Sequence, residues 1–359
     1  MEQQNITKRN SAIEMLRILA MLLIVLSHAC IHSRFDRSSM DFGLNRLFVQ
    51  WGGLGDIGVV DFVLISGYFL CQKQTNYRSV LKLLLQVWFW SVVLFLVSWL
   101  GFGYSYSLKG YLQVFFPMVF QEYWFFTAYI VLALLSPVIN LLFRALNRRQ
   151  LEKLLLLLLV LWCVVPTFTL QNLFGDTLAQ MVMFYLMGGY FRLYPENFLQ
   201  NRKVRWAMVL VPLLLLMTST VAIELLSARI NLFAGKGRLF YSRTSVFVVA
   251  CAVGLFSVAV YSKPFTNRFI NALASCTFGV YLIHDNPAIR EILWLRIMKH
   301  AEYASSPVLI VRIILSALIV YAVCTALEYL RICFWEGRLL SVADRMMPKR
   351  LKKSSSYEI

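Results

Sequence analysis

The chain has 359 residues, of which 59% are hydrophobic and 15% are charged, and its formal net charge is +17. A soluble globular chain has roughly 45–50% apolar and about 25% charged residues, so the apolar excess here is too large to be buried in a core alone. This excess excludes a soluble enzyme and a disordered chain as first interpretations. A nucleic-acid-binding module is excluded as well, because the basic residues lie in short breaks between apolar runs, as in a multi-span membrane protein.

Apolar runs recur along the whole chain at lengths that approach a membrane span. A transmembrane helix needs about 20 mostly apolar residues, and the sequence predicts an all-α bundle of about ten such helices. The sixth run is short, and the second and ninth carry polar residues inside. Between the spans, residues 105–120 are long enough for a re-entrant or interfacial helix. The ten predicted spans are residues 13–32, 53–71, 80–101, 123–143, 154–170, 177–191, 206–227, 246–262, 270–289 and 308–334.

The distribution of lysine and arginine predicts how these spans are oriented. With the N-terminus in the cytoplasm, the cytoplasmic segments hold 22 basic residues and the outer segments hold 12, with Arg17 inside the first span. This bias favours both termini in the cytoplasm. The outer segment 229–243 runs against the trend with four basic residues, which indicates either an error in this topology or a site for an acidic ligand. We expect residues 1–340 to form a membrane domain and residues 341–359 a basic cytoplasmic tail.

Three ionisable residues interrupt the apolar run 13–28 of the first span. Arg17 and His28 are eleven residues apart, so a helix places them on one face and about 16 Å apart. Glu14 lies one turn before Arg17 and can pair with it. Such side chains are expected to face the protein interior or a wet cavity. The alternatives are snorkelling to the inner headgroups for Arg17 and, for His28, a hydrogen-bonded structural role instead of general-base catalysis.

The second span contains two carboxylates, two hydroxyl groups and four glycines, and a fifth glycine, Gly52, directly precedes it. Asp61 is a candidate to orient His28 by accepting a hydrogen bond from its ring, whereas Asp56 is expected at the outer interface. Ser66 and Tyr68 are candidates for substrate contacts. The glycines are expected to allow close helix packing or a broken helix.

Further candidates lie near the ends of other spans. Tyr281 and His284 are three residues apart, so they share a helix face near the outer end of the ninth span, unless they form part of an interfacial belt. Trp124 belongs to an aromatic segment that forms either such a belt or a platform for a sugar. Arg78 and Lys82, four residues apart on the cytoplasmic side, either hold phosphate groups or contribute only to the positive-inside bias.

Metal and nucleotide-loop chemistry find little support in the sequence. The seven cysteines form no CxxC pair, so neither a disulfide framework nor a thiolate metal site is expected. The closest histidines, His28 and His32, have no third ligand at metal-binding spacing. No GxxxxGK loop and no GxSxG turn occurs. We therefore expect no metal.

Five motifs follow one another along nearly the whole chain. They are the Arg17-x10-His28 spacing, the GVxxFxxISGY pattern at 58–68, WFF…Y at 124–129, FYLMGGYF at 184–191 and FGVYLIH at 278–284. Each motif is weak alone, but together, in this order and on ten spans, they resemble the acyltransferase-3 family of integral membrane acyltransferases. The resemblance is to members of the O-acetyltransferase type without a fused hydrolase-like domain.

Two positions depart from the pattern of that family. Many members carry an acidic residue directly after the Gly-Val pair, where this chain has Val60 and places its acid at Asp61. Many also carry two arginines separated by two residues after the second span, whereas Arg78 and Lys82 are one residue further apart. These departures weaken the roles assigned to Asp61 and to the basic pair, and leave that of His28 unaffected.

The resemblance implies transfer of an acyl group, usually acetyl from acetyl-coenzyme A, to a hydroxyl of a cell-surface or lipid-linked carbohydrate at the bacterial cytoplasmic membrane. The anionic donor would meet basic residues near the inner face, and His28, past the midplane, would take the proton from the acceptor or carry the acyl group briefly itself. The expected catalytic residues are His28, Asp61, Tyr281 and His284, the donor-binding residues Glu14, Arg17, Arg78 and Lys82, and the acceptor-binding residues Ser66, Tyr68 and Trp124.

Two other classes of function remain open at this stage. A transporter or flippase for a polar or anionic solute also needs charged groups within the membrane, but it would not transfer a label from acetyl-coenzyme A. A non-catalytic scaffold for polysaccharide assembly would tolerate the loss of His28.

Overall fold

The computed structural model describes residues 9–37, 40–73, 77–171, 177–227, 229–233 and 235–346. Within these ranges all regular structure is helical and no strand occurs, which confirms the predicted all-α class. The helices are α1 Ser11–His32, α2 Leu44–Trp51, α3 Gly55–Leu70, α4 Tyr77–Leu96, α5 Leu108–Phe115, α6 Trp124–Ala145, α7 Arg148–Leu159, α8 Val165–Thr169, α9 Thr177–Leu193, α10 Arg202–Ser227, α11 Val246–Val260, α12 Arg268–Ser275, α13 Thr277–His284, α14 Pro287–Glu291 and α15 Leu309–Met346.

Shorter helical turns join or extend several of these helices. A 3₁₀ turn at Gly52–Leu54 links α2 to α3, so these two helices form one helical segment. π-Helical segments continue α4 at Val97–Gly101, link α7 to α8 at Val160–Val164 and follow α14 at Ile292–Met298. The segments Leu44–Leu70, Tyr77–Gly101 and Arg148–Thr169 are therefore composite.

Seven helical segments in the described part of the chain are long and apolar enough to cross a membrane. The other three predicted spans correspond to shorter elements. Helix α9 has 17 residues and α11 has 15, whereas the ninth predicted span consists of α12 and α13, of eight residues each. The prediction of a continuous ninth helix is therefore wrong, because the helix is interrupted at Cys276. The count of ten spans and the cytoplasmic location of both termini stay predictions. The seven are Ser11–His32, Leu44–Leu70, Tyr77–Gly101, Trp124–Ala145, Arg148–Thr169, Arg202–Ser227 and Leu309–Met346.

Two predicted boundaries differ most from the observed ones. The second span begins at Leu44, because α2 and the 3₁₀ turn precede α3 without a break. The last helix, α15, has 38 residues, or about 57 Å at 1.5 Å per residue, which exceeds the roughly 30 Å hydrocarbon core of a bilayer. The predicted border between membrane domain and tail, at residue 340, lies inside this helix, and residues 347–359 lie outside the described part of the chain.

Helix α1 lies at the centre of the bundle and packs against α3, α11, α12, α13 and α15. It approaches α3 closely because α3 presents glycine there: a Cβ atom at Gly58 would lie 2.3 Å from the Ala20 carbonyl oxygen. On another side of α3, a Cβ atom at Gly67 would lie 2.0 Å from the Tyr185 carbonyl oxygen of α9. The glycines of the second span thus serve close helix packing.

The segment from residue 265 to α13 runs parallel to α1. At the N-terminal end of α1 the Ser11 amide donates a hydrogen bond to the Phe265 carbonyl oxygen at 2.8 Å. Near the other end His28 meets His284 at 2.9 Å. This parallel pairing brings residues from the two ends of the sequence to the same depth in the bundle.

Candidate active site

A cavity of about 300 Å³ lies along one face of α1, enclosed by α3, α4, α6, α12 and α13. Arg17 and His28 both line it, together with Arg9 just before α1. The prediction that Arg17 and His28 share a face of the helix is therefore confirmed, because the guanidinium and the imidazole line the same cavity at two different depths. The walls between them carry apolar and aromatic groups, including Met21, Ile24 and others from α3, α6 and α13.

The cationic end of the cavity is organised by one buried carboxylate. Glu14, 2% exposed, accepts hydrogen bonds from Arg9 Nε and Nη2 at 2.8 Å each. The same carboxylate accepts from Arg17 Nη1 at 2.9 and 3.0 Å. The guanidinium of Arg17 also lies over the Phe69 ring, 5.5 Å from its centroid. Glu14 therefore positions two arginines at the cavity wall, and its own oxygens are occupied by them.

The imidazole of His28 is oriented by a second histidine. His284 Nδ1 lies 2.5 Å from the Val280 carbonyl oxygen, and His284 Nε2 lies 2.9 Å from His28 Nδ1. A carbonyl oxygen only accepts, so the hydrogen of a neutral His284 resides on Nδ1 and its Nε2 is an acceptor. His28 must then donate from Nδ1. This assignment leaves His28 Nε2 with a free lone pair, which is the form that a general base requires.

A buried carboxylate completes the surroundings of His28. Asp285 Oδ1 lies 3.5 Å from His28 Nδ1, 3.5 Å from His32 Nε2 and 3.4 Å from Arg290 Nη1. The rings of His28 and His32 lie side by side, with centroids 4.7 Å apart. A carboxylate in this position stabilises the imidazolium that forms when His28 takes up a proton. The carboxylate beside His28 is thus Asp285 and not Asp61.

Three of these groups also satisfy the distances of a metal site. His28, His32 and Asp285 each offer one ligand atom, and these atoms lie within 4.8 Å of one another. The prediction that His28 and His32 lack a third ligand is therefore wrong, because the fold brings Asp285 to them from a distant segment of the chain. The same carboxylate also contacts the guanidinium of Arg290, whose positive charge would compete with a cation there. The expectation that no metal binds stays a prediction.

Three of the remaining predicted residues line the cavity. Ser66 Oγ donates to the Phe62 carbonyl oxygen at 2.8 Å and lies 3.4 Å from the Tyr129 hydroxyl. Trp124 lines the cavity, and so does Tyr281. The Tyr281 hydroxyl is buried without a hydrogen-bond partner among the described residues, and a buried polar group of that kind is available to a ligand.

The predicted role of Asp61 in orienting His28 is wrong, because α3 presents that residue elsewhere. The cavity face of α3 carries Val59, Phe62 and Ser66, and Asp61 lies about 200° around the helix from Val59 at 100° per residue. It lies near Cys251 of α11. Asp61 is fully buried, and neither of its carboxylate oxygens has a hydrogen-bond partner in the described part of the chain.

Tyr68 also lies away from the cavity. It is nine residues after Val59, so it projects from about the opposite side of α3. There the guanidinium of Arg192 lies over its ring at 5.2 Å and donates to its hydroxyl at 3.4 Å. The structure therefore does not place Tyr68 with the acceptor-binding candidates.

The basic pair at the start of α4 is engaged by α15. Arg78 donates from Nε and Nη2 to Asp344 at 2.8 and 3.0 Å, and Lys82 forms an ion pair with Glu336. Neither side chain is among the cavity-lining residues. The predicted assembly of these two residues with Arg17 around a phosphate group is not observed, because α15 supplies a carboxylate to each of them.

The basic outer segment 229–243 is partly accounted for by packing. Arg238 donates from Nε to the Gln50 carbonyl oxygen at 3.0 Å, and burial together with the charge of Arg37 lowers its pKa to about 10. Arg243 lies over the Trp124 ring at 4.4 Å, and its amide donates to Asp56 Oδ2 at 2.9 Å. These two arginines tie the segment to α2, α3 and α6 and are not displayed for an acidic ligand.

Sequence reasoning missed Arg9, His32, Asp285 and Arg290 as site residues. His32 had a usable signal, because it lies one turn after His28 and so shares its face. Asp285 directly follows the predicted His284, but its proximity to His28 depends on the pairing of α13 with α1. Arg9 lies before the helix, where helical periodicity carries no information about its neighbours.

Comparison with known proteins identifies a family. Residues 10–329 match the family model described as an acyltransferase domain. The match includes the helices that enclose the cavity and ends within α15. No curated protein and no solved structure matches the chain.

Proposed function

The chain belongs to the acyltransferase-3 family and is a membrane acyltransferase, and from this premise we propose that it moves an acyl group, most often acetyl, from a cytoplasmic acyl-coenzyme A to a carbohydrate hydroxyl. The acceptor is a surface polysaccharide or a lipid-linked glycan at the outer face of the bacterial cytoplasmic membrane. One observation carries this proposal: Arg9 and Arg17, at the start of α1, line the same cavity as His28.

The donor fits the order of groups along the cavity. Arg9 and Arg17 present guanidinium groups fixed by Glu14, and guanidinium forks bind phosphate groups with two parallel hydrogen bonds. From Arg17 the thioester arm follows the apolar wall for about 16 Å, the length of eleven helical residues, which brings the thioester to His28.

The reaction then proceeds as base-catalysed acyl transfer. His28 Nε2 takes the proton of the acceptor hydroxyl while the oxygen of that hydroxyl forms a bond to the thioester carbonyl carbon. The carbon–sulfur bond breaks, and the leaving thiolate takes the proton from the imidazolium. Asp285 stabilises the charged ring between these two steps. Donation from the Tyr281 hydroxyl to the carbonyl oxygen stabilises the developing negative charge.

The test uses purified protein in lipid nanodiscs with acetyl-coenzyme A labelled in the acetyl group. We expect free coenzyme A thiol to appear together with label on the glycan of membranes from the same cells. Thiol without glycan label would contradict the carbohydrate acceptor. In a parallel assay with the protein in sealed proteoliposomes, label that crosses the membrane unchanged, with no thiol released, would favour the transporter instead. An acetylated His28 trapped by rapid acid quenching would replace the direct route by a covalent one.

A further inference from the structure

A second recess lies one helical turn further along α1 than the cavity. The cavity is lined by His28, whereas the recess is lined by His32, one turn further along α1, and has a volume of about 240 Å³. Its other polar lining groups are Arg34, which follows α1, and Arg290 and Glu291 of α14. The space is smaller than the roughly 300–1,000 Å³ of sites for drug-sized ligands, which suits one sugar unit of a chain whose remainder lies in water.

Two guanidinium groups in this recess have unused hydrogen-bonding capacity. Arg34 is exposed and forms no ion pair with any of the described residues. Arg290 makes one contact of 3.4 Å with Asp285 and its side chain is 37% exposed. A guanidinium has five N–H donors, so most of the donors of these two residues have no partner in the described part of the protein.

The nearby acidic groups offset only part of the charge of the two arginines. Glu291 lines the recess and accepts a hydrogen bond from the Tyr104 hydroxyl at 3.3 Å, and its carboxylate offsets one arginine. Glu122 faces Arg290 but does not line the recess, and burial raises its pKa above the usual value. Asp285 is already shared among His28, His32 and Arg290. The charged residues that line the recess are thus two arginines and one glutamate, which sum to a formal charge of +1.

We propose that the recess binds the acidic group of the acceptor, so that the carbohydrate acylated by this protein carries a carboxylate or a phosphate group on the reacting sugar. This inference rests on the proposed function. An acidic group held between Arg34 and Arg290 receives bidentate hydrogen bonds, and the ring hydroxyls then lie beside His32 and within reach of His28. Basic residues on the outer side of a membrane protein run against the usual charge bias, and an anionic ligand gives them a function.

The experiment measures sugar binding by calorimetry on the full-length protein in nanodiscs, with glucuronic acid, glucose 6-phosphate and glucose as probes. We expect both anionic sugars to bind at least about tenfold more tightly than glucose. Arg34→Gln and Arg290→Gln should each weaken the anionic probes about tenfold and leave glucose unchanged. The stronger of the two anionic probes distinguishes a carboxylate from a phosphate. Arg229→Gln is the control, since Arg229 is an exposed outer arginine that does not line the recess.

Equal binding of the three probes, or anionic binding unchanged in Arg34→Gln, would overturn the inference. Arg34 is exposed, so its substitution tests the charge without disturbing a packed core. The measurement needs no acyl donor. Selective anion binding without any release of thiol from acetyl-coenzyme A would therefore sink the proposed function and leave the recess assignment standing.

Discussion

His28 occupies a position where an ionisable ring is expensive unless its polar atoms have partners. Its Nδ1 atom is 2.9 Å from His284 Nε2 and 3.5 Å from Asp285 Oδ1. These contacts fix the ring orientation and the tautomer, so the remaining nitrogen is presented as a base. The same contacts explain why a histidine is tolerated within an apolar helix.

Substitution of this residue tests its role directly. Glutamine retains hydrogen bonding but cannot accept a proton at neutral pH, so His28→Gln should lower the transfer rate about 10²–10⁴-fold. The measurement is the initial rate of glycan acetylation in nanodiscs. His300→Gln is the matched control, because His300 is buried and bonded to Ser316 Oγ at 2.9 Å, away from the cavity. Near-normal rates in His28→Gln protein would identify the ring as structural.

Arg17 should affect the donor more than the acceptor. Arg17→Ala removes one of the two guanidinium groups at the cationic end of the cavity while Glu14 keeps its bonds to Arg9, and we expect the KM for acetyl-coenzyme A to rise by the equivalent of about 2–5 kcal/mol. Arg17→Lys should restore only part of the loss, because lysine lacks the bidentate fork. Arg144→Ala is the control, since this exposed arginine ends α6 and does not line the cavity. An unchanged KM in folded Arg17→Ala protein would remove Arg17 from the donor site.

Helix α3 determines which surfaces of the central bundle meet. Its glycines let α1 approach on one side and α9 on another, and its cavity face carries Val59, Phe62 and Ser66. The depth and width of the cavity therefore depend on contacts made on the opposite faces of the same helix. A change in α3 packing is expected to shift the cavity wall.

The contact between α3 and α9 should not accept a larger residue. A Cβ atom at Gly67 would lie 2.0 Å from the Tyr185 carbonyl oxygen, so Gly67→Ala forces the two helices apart and should destabilise the protein by about 1–3 kcal/mol. Thermal unfolding in detergent measures this effect. Gly337→Ala is the control in α15, where nothing lies within 4 Å, and helix propensity alone predicts equal or higher stability. A Gly67→Ala midpoint as high as that of the control would show that the close contact is not required.

A buried charge network joins α15 to α4. Glu328 is fully buried and accepts hydrogen bonds from Gln86 Nε2 at 2.9 Å, from Trp90 Nε1 at 2.7 Å and from Arg331 Nη2 at 2.8 Å. Glu328→Ala leaves the Arg331 charge with one carboxylate fewer and should destabilise the protein by about 3–5 kcal/mol. Unfolding in detergent should show a lower midpoint. The double variant Glu328→Ala with Arg331→Met should recover part of it, and no recovery would contradict the pairing argument.

The whole molecule places a cavity and a recess in series along α1. The cavity begins at Arg9 and ends at His28, and the recess begins at His32. Under the proposed function, donor and acceptor approach the same imidazole from different ends of the helix. This arrangement suits a transferase whose two substrates are on opposite sides of a membrane.

Topology is the property that decides this arrangement. The charge bias predicts both termini in the cytoplasm, which places Arg17 on the side of the acyl-coenzyme A pool. A phosphatase reporter, which is active only after export, should be inactive when fused after Lys353. A green fluorescent fusion at the same position should be bright. An active phosphatase there would reverse the topology and with it the side from which the donor enters.

Local patterns in the sequence determined a large part of this picture. The long apolar runs predicted an all-helical membrane protein, five motifs in order predicted the family, and both are confirmed. The shared face of Arg17 and His28 follows from helical periodicity, because side-chain directions within one helix depend only on residue spacing. The close packing of the glycines in the second span was one of two interpretations that the sequence allowed.

Tertiary structure decided which of these faces meet. His28 and His284 are 256 residues apart, and their contact exists because α13 runs parallel to α1. The same packing brings Asp285 to His28 in place of Asp61, whose side of α3 faces α11. It also gives Arg78 and Lys82 carboxylates of α15 as partners. Periodicity fixes directions within a helix, but distances between helices depend on how all of them pack, and no single segment contains that information.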